Sequence, residues 1–169
     1  MNVKEAILKR RSIRKFKEDK ISEDKIQILL ECAMAAPCAC NKKPWAFYVI
    51  TNEEVLEKLR ASSRYTGYKS PLNIIVCGDK SKALSDKPND FWIQDCSAAV
   101  ENILLAATHH NLGTVWCGIY PVEERTKKMK EVLNLEEHII PMALIHIGYP
   151  DEEKEERTQF KSEYIHYID

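Results

Sequence analysis

Long apolar runs are missing from this chain of 169 residues, and none approaches the ~18 residues that a membrane-spanning helix requires. The opening Met1-Asn2-Val3-Lys4-Glu5 lacks the apolar core of a secretory signal, so a cytoplasmic protein is expected. A surplus of one charge is missing as well. With 25 basic and 26 acidic residues the net charge is −1, which argues against nucleic acid or anionic lipid as a partner. No Gly-x-Gly-x-x-Gly occurs, so no doubly wound dinucleotide-binding domain is expected. Six cysteines are present without a Cys-x-x-Cys pair, and the histidines lack zinc-like partner spacing. Structural metal is therefore not expected. Cys38 and Cys40 are too close in sequence for good disulfide geometry and read as free thiols. Cys77, Cys96 and Cys117 sit inside apolar segments, as small buried hydrophobes do. Repeats, low-complexity tracts and a domain boundary are also missing, and residues 1–169 are expected to form one domain.

What the chain does contain is a dense basic stretch, Lys9-Arg10-Arg11-Ser12-Ile13-Arg14-Lys15-Phe16. Guanidinium groups give planar, permanently charged donors and a serine adds a short directional one, the set a buried phosphate needs. From composition alone the same stretch also fits a solvated basic face or a nucleic-acid contact.

The patterning predicts alternating helices and strands. Asn2 with Glu5 three residues on forms a capping box for a helix over 2–10, with Val3, Ala6 and Ile7 as its apolar stripe. A helix over 22–35 follows, with Ser22 as cap, Ile21 and Ile26 as staple and Pro37 beyond its end. Residues 45–51 read as a strand, 53–61 as a helix capped by Asn52, 62–70 as a loop, and 72–77 as a second strand. The polar connection 79–90 reads equally as a lid or as a surface insertion. Residues 91–111 form the longest helix, apolar on nearly all sides and so expected to be central. A strand over 114–119, a helix over 122–134 with Val122, Met129, Val132 and Leu133 inward, and a strand over 141–148 complete the pattern. After the charged residues 151–156, Phe160, Tyr164, Ile165 and Tyr167 need something to pack on, and a partner subunit would supply it.

Taken in order, several stretches resemble the FMN-dependent nitroreductase family. They are Arg10-Arg11-Ser12-Ile13-Arg14-Lys15-Phe16, Ala36-Pro37-Cys38 to Asn41 with Pro44-Trp45, Asp95 and the apolar helix after it, Gly113-Thr114-Val115-Trp116-Cys117-Gly118, and Gly148-Tyr149-Pro150. The resemblance implies an α+β fold with a mainly antiparallel central sheet flanked by helices. It also implies a homodimer with FMN at the interface and a C-terminal segment exchanged between subunits.

Roles follow from the same resemblance. It implies that Arg10, Arg11 and Ser12 grip the phosphate and ribityl chain, with Arg157 as a C-terminal phosphate contact. Arg14 would lie near the pyrimidine edge of the flavin, where a cation favours the reduced form. Pro37, Cys38, Ala39 and Asn41 would touch the ring from the other subunit. Trp116, Cys117, Gly118 and Ile119 would form the strand end whose backbone donates toward the ring, with Gly118 permitting close approach. Read without the resemblance, Trp116 and Pro37 fit plain packing, Arg157 a surface charge and Gly118 a strand terminus. The chain departs from the family pattern at Cys38, Cys40, Lys43 and Gln159.

The expected activity is hydride transfer from NAD(P)H through FMN to a small oxidised acceptor such as a nitroaromatic or a quinone. The cofactor carries that chemistry, so no side chain is assigned as catalytic. The alternative is an FMN-binding protein that does not turn over, acting as reservoir or redox sensor.

Overall fold

The computed structural model describes residues 1–84 and 90–168. Most of the last half of the polar connection, residues 85–89, lies outside the described residues. In chain order the elements are α1 (Val3–Lys9), α2 (Glu23–Met34), β1 (Trp45–Ile50), α3 (Glu53–Ala61) and β2 (Leu72–Asp79). Then come α4 (Phe91–His109), β3 (Gly113–Gly118), α5 (Glu123–Leu133) and β4 (Ile139–Gly148), with single 3-10 turns at Ala39–Asn41 and Ser162–Tyr164.

The helix starts follow their caps. Asn2 accepts from Glu5 N at 3.0 Å while the Glu5 carboxylate accepts from Asn2 N at 3.1 Å, which closes the capping box. Asn52 accepts from Val55 N at 3.1 Å. Ser22 departs from expectation and makes no side-chain cap, leaving Glu23 and Asp24 as the groups that complement the first turn of α2.

The sheet is antiparallel throughout, in the order β1-β2-β4-β3. Its two central strands are buried along almost their whole length. With side chains alternating across the sheet, Ile74, Val76, Ala143 and Ile145 face Ala99, Val100 and Ile103 of α4 and Leu29 of α2. Ile75, Cys77 and Leu144 face the other way, onto Leu56 and Leu59 of α3 and Met129 of α5. The α4 helix is thus central, as its apolar composition predicts. The six cysteines are free thiols, with Cys77, Cys96 and Cys117 buried.

Several strand boundaries and one inward residue differ from the sequence reading: β1 ends at Ile50 and β3 runs from Gly113 to Gly118, each ending one residue earlier than expected. The β2 and β4 strands run on to Asp79 and back to Ile139, because Gly78 pairs with Ile140 and Asp79 with Ile139. Pro141 therefore sits inside β4 and does not open it. It is tolerated opposite Cys77, where the register shifts and a ladder donor can be missing. Val122 caps α5 from outside and is 42% exposed, so it does not join Met129 in the core.

A buried polar group crosses the α3 face of the sheet. His146 on β4 has no exposed surface, and its Nδ1 lies 2.8 Å from Ser70 Oγ, which donates to Asn73 Oδ1 at 2.8 Å. The ring of Tyr68 meets the imidazole edge-on at 5.5 Å. Burial first, and the Arg60 charge second, push His146 from 6.5 down to about 4. It is neutral in the folded protein.

Two consequences are measurable. At Gly78 an added Cβ would lie 2.1 Å from the Trp92 ring, whereas at Gly67 it would meet nothing within 4 Å. In urea unfolding, Gly78→Ala should lose about 1–3 kcal/mol and Gly67→Ala far less; equal losses would refute the close approach. The second is a pH effect. Unfolded His146 takes up a proton as pH falls from 6.5 toward 4 while the folded form does not, so stability drops over that window by about 3 kcal/mol. His146→Gln should flatten this part of the profile, and an unchanged slope would remove His146 as its source.

Candidate functional site

The basic stretch leaves α1 at Arg10, whose amide closes the helix on Ala6 O at 2.9 Å. It then runs extended beside β3. Ile13 N donates to Thr114 O at 2.9 Å, and Ser12 forms a parallel bridge with Thr114. Further on, Phe16 bridges Pro150. Gly113 is required here, because a Cβ on it would lie 2.8 Å from the Ile13 side chain. The strand therefore begins on a glycine so that the basic stretch can lie against it.

At the near end of this stretch three arginines gather. Arg157 N donates to Leu8 O at 3.0 Å, and Arg11 Nη1 donates to Glu155 O, so the C-terminal segment is tied down beside Arg10 and Arg11. Arg10 Nε stands 3.7 Å from Glu101, while Arg157 Nη1 donates to Gln159 Oε1 at 3.1 Å. Arg11 Nε is buried and has no hydrogen-bond partner among the described residues. An orphaned guanidinium donor among three arginines fits an anionic group of phosphate type.

Arg14 lies at the far end. Its backbone N donates to the Glu152 carboxylate at 2.5 Å, which holds that carboxyl below its usual range. Its Nε donates to Tyr68 OH at 3.2 Å, and the guanidinium sits over the Tyr68 ring at 5.9 Å. Tyr68 is in turn backed by His146. The position of Arg14 is thus set from the core outward, by a tyrosine in an aperiodic loop that no sequence pattern marks. Glu152, also unmarked, fixes the backbone of the same residue.

The β3 edge faces this cation. Since Thr114 O points outward to Ile13, strand alternation also turns the peptide groups of Trp116 and Gly118 outward. Gly118 O accepts from Arg125 Nη1 at 2.9 Å, and a Cβ on Gly118 would meet nothing within 4 Å. Trp116 is 36% exposed. Cys117 points the other way; burial pushes its thiol up to about 11, with Arg14 and Arg125 pulling against that shift. Ile119 is buried and its amide is taken by Met142 O at 3.0 Å.

The remaining predicted residues sit elsewhere in the protomer. After α2, Pro37, Cys38, Ala39 and Asn41 form a tight turn pinned to α4, where Asp95 accepts from Ala39 N at 2.9 Å. Cys40, Asn41 and Lys43 all have positive φ, and Cys38 Sγ accepts from Lys43 N at 3.2 Å. Among the described residues no hydrogen bond joins this turn to the arginines or to β3. One protomer therefore assembles Arg10, Arg11, Ser12, Arg14, Trp116, Gly118 and Arg157 but not the Pro37–Asn41 turn. A separate groove of about 830 Å³ opens beside Phe16, Ile26, Val49, Arg60 and Pro71, away from the β3 end.

Known proteins share this arrangement of elements. The family described as the nitroreductase family matches residues 7–67 and 61–149. A candidate NADH dehydrogenase/NAD(P)H nitroreductase of Methanothermobacter thermautotrophicus is 42% identical over 168 residues, covering 98% of this chain and 86% of the relative. An FMN-dependent nitroreductase from Clostridium difficile superposes with a TM-score of 0.88 at 28% identity, covering 97% and 98% of the two chains. A nitroreductase-like protein of Desulfovibrio desulfuricans, solved in complex with FMN, gives 0.84 at 27% identity, covering 100% and 98%. With the family matched over most of its length and a relative at 42% identity, the chain belongs to the nitroreductase family.

Proposed function

We propose that the chain is an FMN-dependent NAD(P)H oxidoreductase that works as a homodimer. The observation that carries this reading is the buried Arg11 Nε, without a partner among the described residues, between Arg10 and Arg157 and one short segment away from an open strand edge. Arg10, Arg11, Ser12 and Arg157 would hold the FMN phosphate. The chemistry supplied by bound FMN is hydride acceptance from NAD(P)H followed by two-electron reduction of an acceptor such as a nitroaromatic or a quinone. Arg14, positioned by Tyr68, offers positive charge to the electron-rich side of the site. The outward amides of Trp116 and Gly118 offer two donors, and the bare Gly118 leaves room for a flat ring to approach. The buried Cys117 thiol stays protonated and takes no part as nucleophile.

The homodimer reading answers what one protomer leaves open. Pro37, Cys38, Ala39 and Asn41 of a second copy would complete the site. The outer edge of β1 has no strand partner among the described residues, and the groove beside it is wide enough for a chain segment. Phe160, Tyr164, Tyr167 and Ile168 are 82, 72, 85 and 98% exposed. A tail exchanged onto that edge would cover both.

The decisive experiment is a visible spectrum of the purified protein, before and after anaerobic NADH or NADPH. Flavin bands that bleach, with rapid donor oxidation once an acceptor is added, are expected. A bound flavin that neither donor reduces would favour a non-turnover FMN-binding protein, and a colourless protein that takes up no FMN would end the reading. Arg10→Ala should weaken FMN binding roughly 10- to 100-fold through the lost charge-assisted bond; unchanged affinity would remove Arg10 from the site. Removing residues 158–169 should convert the dimer to monomer or aggregate on a sizing column, and a stable dimer would show that the tail is not part of the interface.

A further inference from the structure

Beyond the β3 end lies a second group of cations that the cofactor reading does not use. Arg125, in the first turn of α5, donates to Gly118 O at 2.9 Å, and its guanidinium lies over the Tyr65 ring at 4.4 Å. Arg64 lies over the same ring at 4.6 Å and donates to Tyr65 OH. Tyr65 O accepts from Cys117 Sγ at 2.9 Å, which ties the cluster to β3 a second time. The cluster thus borders the residues placed at the flavin ring, at the opposite end of the basic stretch from Arg10, Arg11 and Arg157.

Its charges have no carboxylate partner among the described residues. Among the described residues neither Arg64, Arg125 nor the nearby Arg14 forms a side-chain ion pair with a carboxylate, whereas Arg10, Arg60, Lys69 and Lys82 each do. Glu124, one residue before Arg125, is drawn to Lys128 at 3.0 Å. Gathering guanidiniums costs Coulomb repulsion, which an anion between them would offset. A guanidinium has five N–H donors in a planar fork, and Arg125 spends one on Gly118. Arg64 is exposed and Tyr65 is 43% exposed, so the cluster can be reached from solvent.

We propose that Arg64, Tyr65 and Arg125 recognise an anionic group, phosphate or carboxylate, on the substrate that reacts beside β3. The aromatic ring holds the two forks in place, and their remaining donors take two oxygens of the anion. The group could belong to the electron donor, as the 2′-phosphate that separates NADPH from NADH, or to the acceptor. The inference rests on the oxidoreductase reading above, because it concerns where a substrate sits relative to that flavin.

The test uses the full chain and the variants Arg64→Ala, Arg125→Ala and Arg125→Gln. Adenosine 2′,5′-bisphosphate and 4-nitrobenzoate are titrated by calorimetry, with adenosine 5′-monophosphate and 4-nitrobenzamide as their counterparts. The ratio of kcat/KM is then measured for NADPH against NADH and for the two nitro compounds. Wild type should favour the more anionic member of one pair, and each variant should cut that preference roughly 10- to 100-fold. A preference in the first pair assigns the site to the donor, and in the second to the acceptor. No preference in either pair overturns the inference. So does an equal loss on both members, which would mark Arg125 as a tether of α5 to Gly118 alone. Parallel loss of FMN from the variants would reassign the cluster to the cofactor and overturn it too. Failure of the oxidoreductase reading is told apart by the calorimetry, since anion binding that weakens in the variants would persist in a protein that holds no flavin.

Discussion

The bond from Ile13 N to Thr114 O decides the geometry of everything around it. It holds the basic stretch in register with β3, so that Arg10 and Arg11 project at one end and Arg14 at the other. It also sets parity along the strand. Because Thr114 is turned outward, so are the peptide groups of Trp116 and Gly118, while Val115 and Cys117 bond inward to β4. A slip of one residue would bring the buried Cys117 to the open edge and direct the Gly118 peptide at β4. Gly113 makes the contact possible, since any side chain there would collide with Ile13. The edge is thus covered where it begins and open where it ends, which is the reverse of how an idle edge strand is protected.

Charge follows the same division. A chain of net charge −1 nonetheless concentrates arginines at two places along one short segment. At the first, Arg10 has Glu101 at 3.7 Å, but Arg11 Nε is buried without a partner among the described residues. At the second, Arg14 leans on Tyr68 and Arg125 on a backbone carbonyl, with aromatic rings taking the place that carboxylates usually hold. Pairing each arginine with an acid would stabilise the empty protein and leave less for a ligand. Rings and carbonyls fix the position of a cation without neutralising it. His146 fits this pattern, since it backs Tyr68 while staying neutral and adds no further charge.

Much of the fold was legible because its signals are local. The capping box at Asn2 and Glu5, the cap at Asn52, the apolar length of α4 and the buried cysteines depend on neighbours in sequence, and the structure agrees with each. Pro141 misled because a proline reads as a strand boundary, yet here β4 itself bulges beside it, with Met142 as the extra residue between the Val76–Ala143 and Cys77–Pro141 pairs. Val122 misled because one exposed cap residue shares the helical spacing of Met129. In the candidate site, Arg10, Arg11, Ser12 and Arg14 stood out by composition, and the resemblance added a separate role for Arg14 together with Arg157 and the β3 end. Tyr65, Tyr68 and Glu152 lay beyond reach. They act through contacts across 52, 54 and 138 positions of chain, in loops without periodicity. Asp95 was visible as part of a family stretch, but its partner, the amide of Ala39, is 56 positions away.

Three features of the protomer would be puzzling separately. Among the described residues the outer edge of β1 is unpaired, four large apolar residues of the tail are at least 72% exposed, and the strained Pro37–Asn41 turn is fixed to α4 with no role in its own protomer's site. Each has a cost: an open edge invites mispairing, an exposed apolar side chain forgoes roughly 1.5–3 kcal/mol of burial, and positive φ away from glycine strains the backbone. In the proposed homodimer one event removes all three, because a second copy supplies the strand, the surface and the missing wall together. The same event would exclude water from the arginines and so strengthen their hold on an anion. Association and cofactor binding would then reinforce each other, since each completes what the other requires.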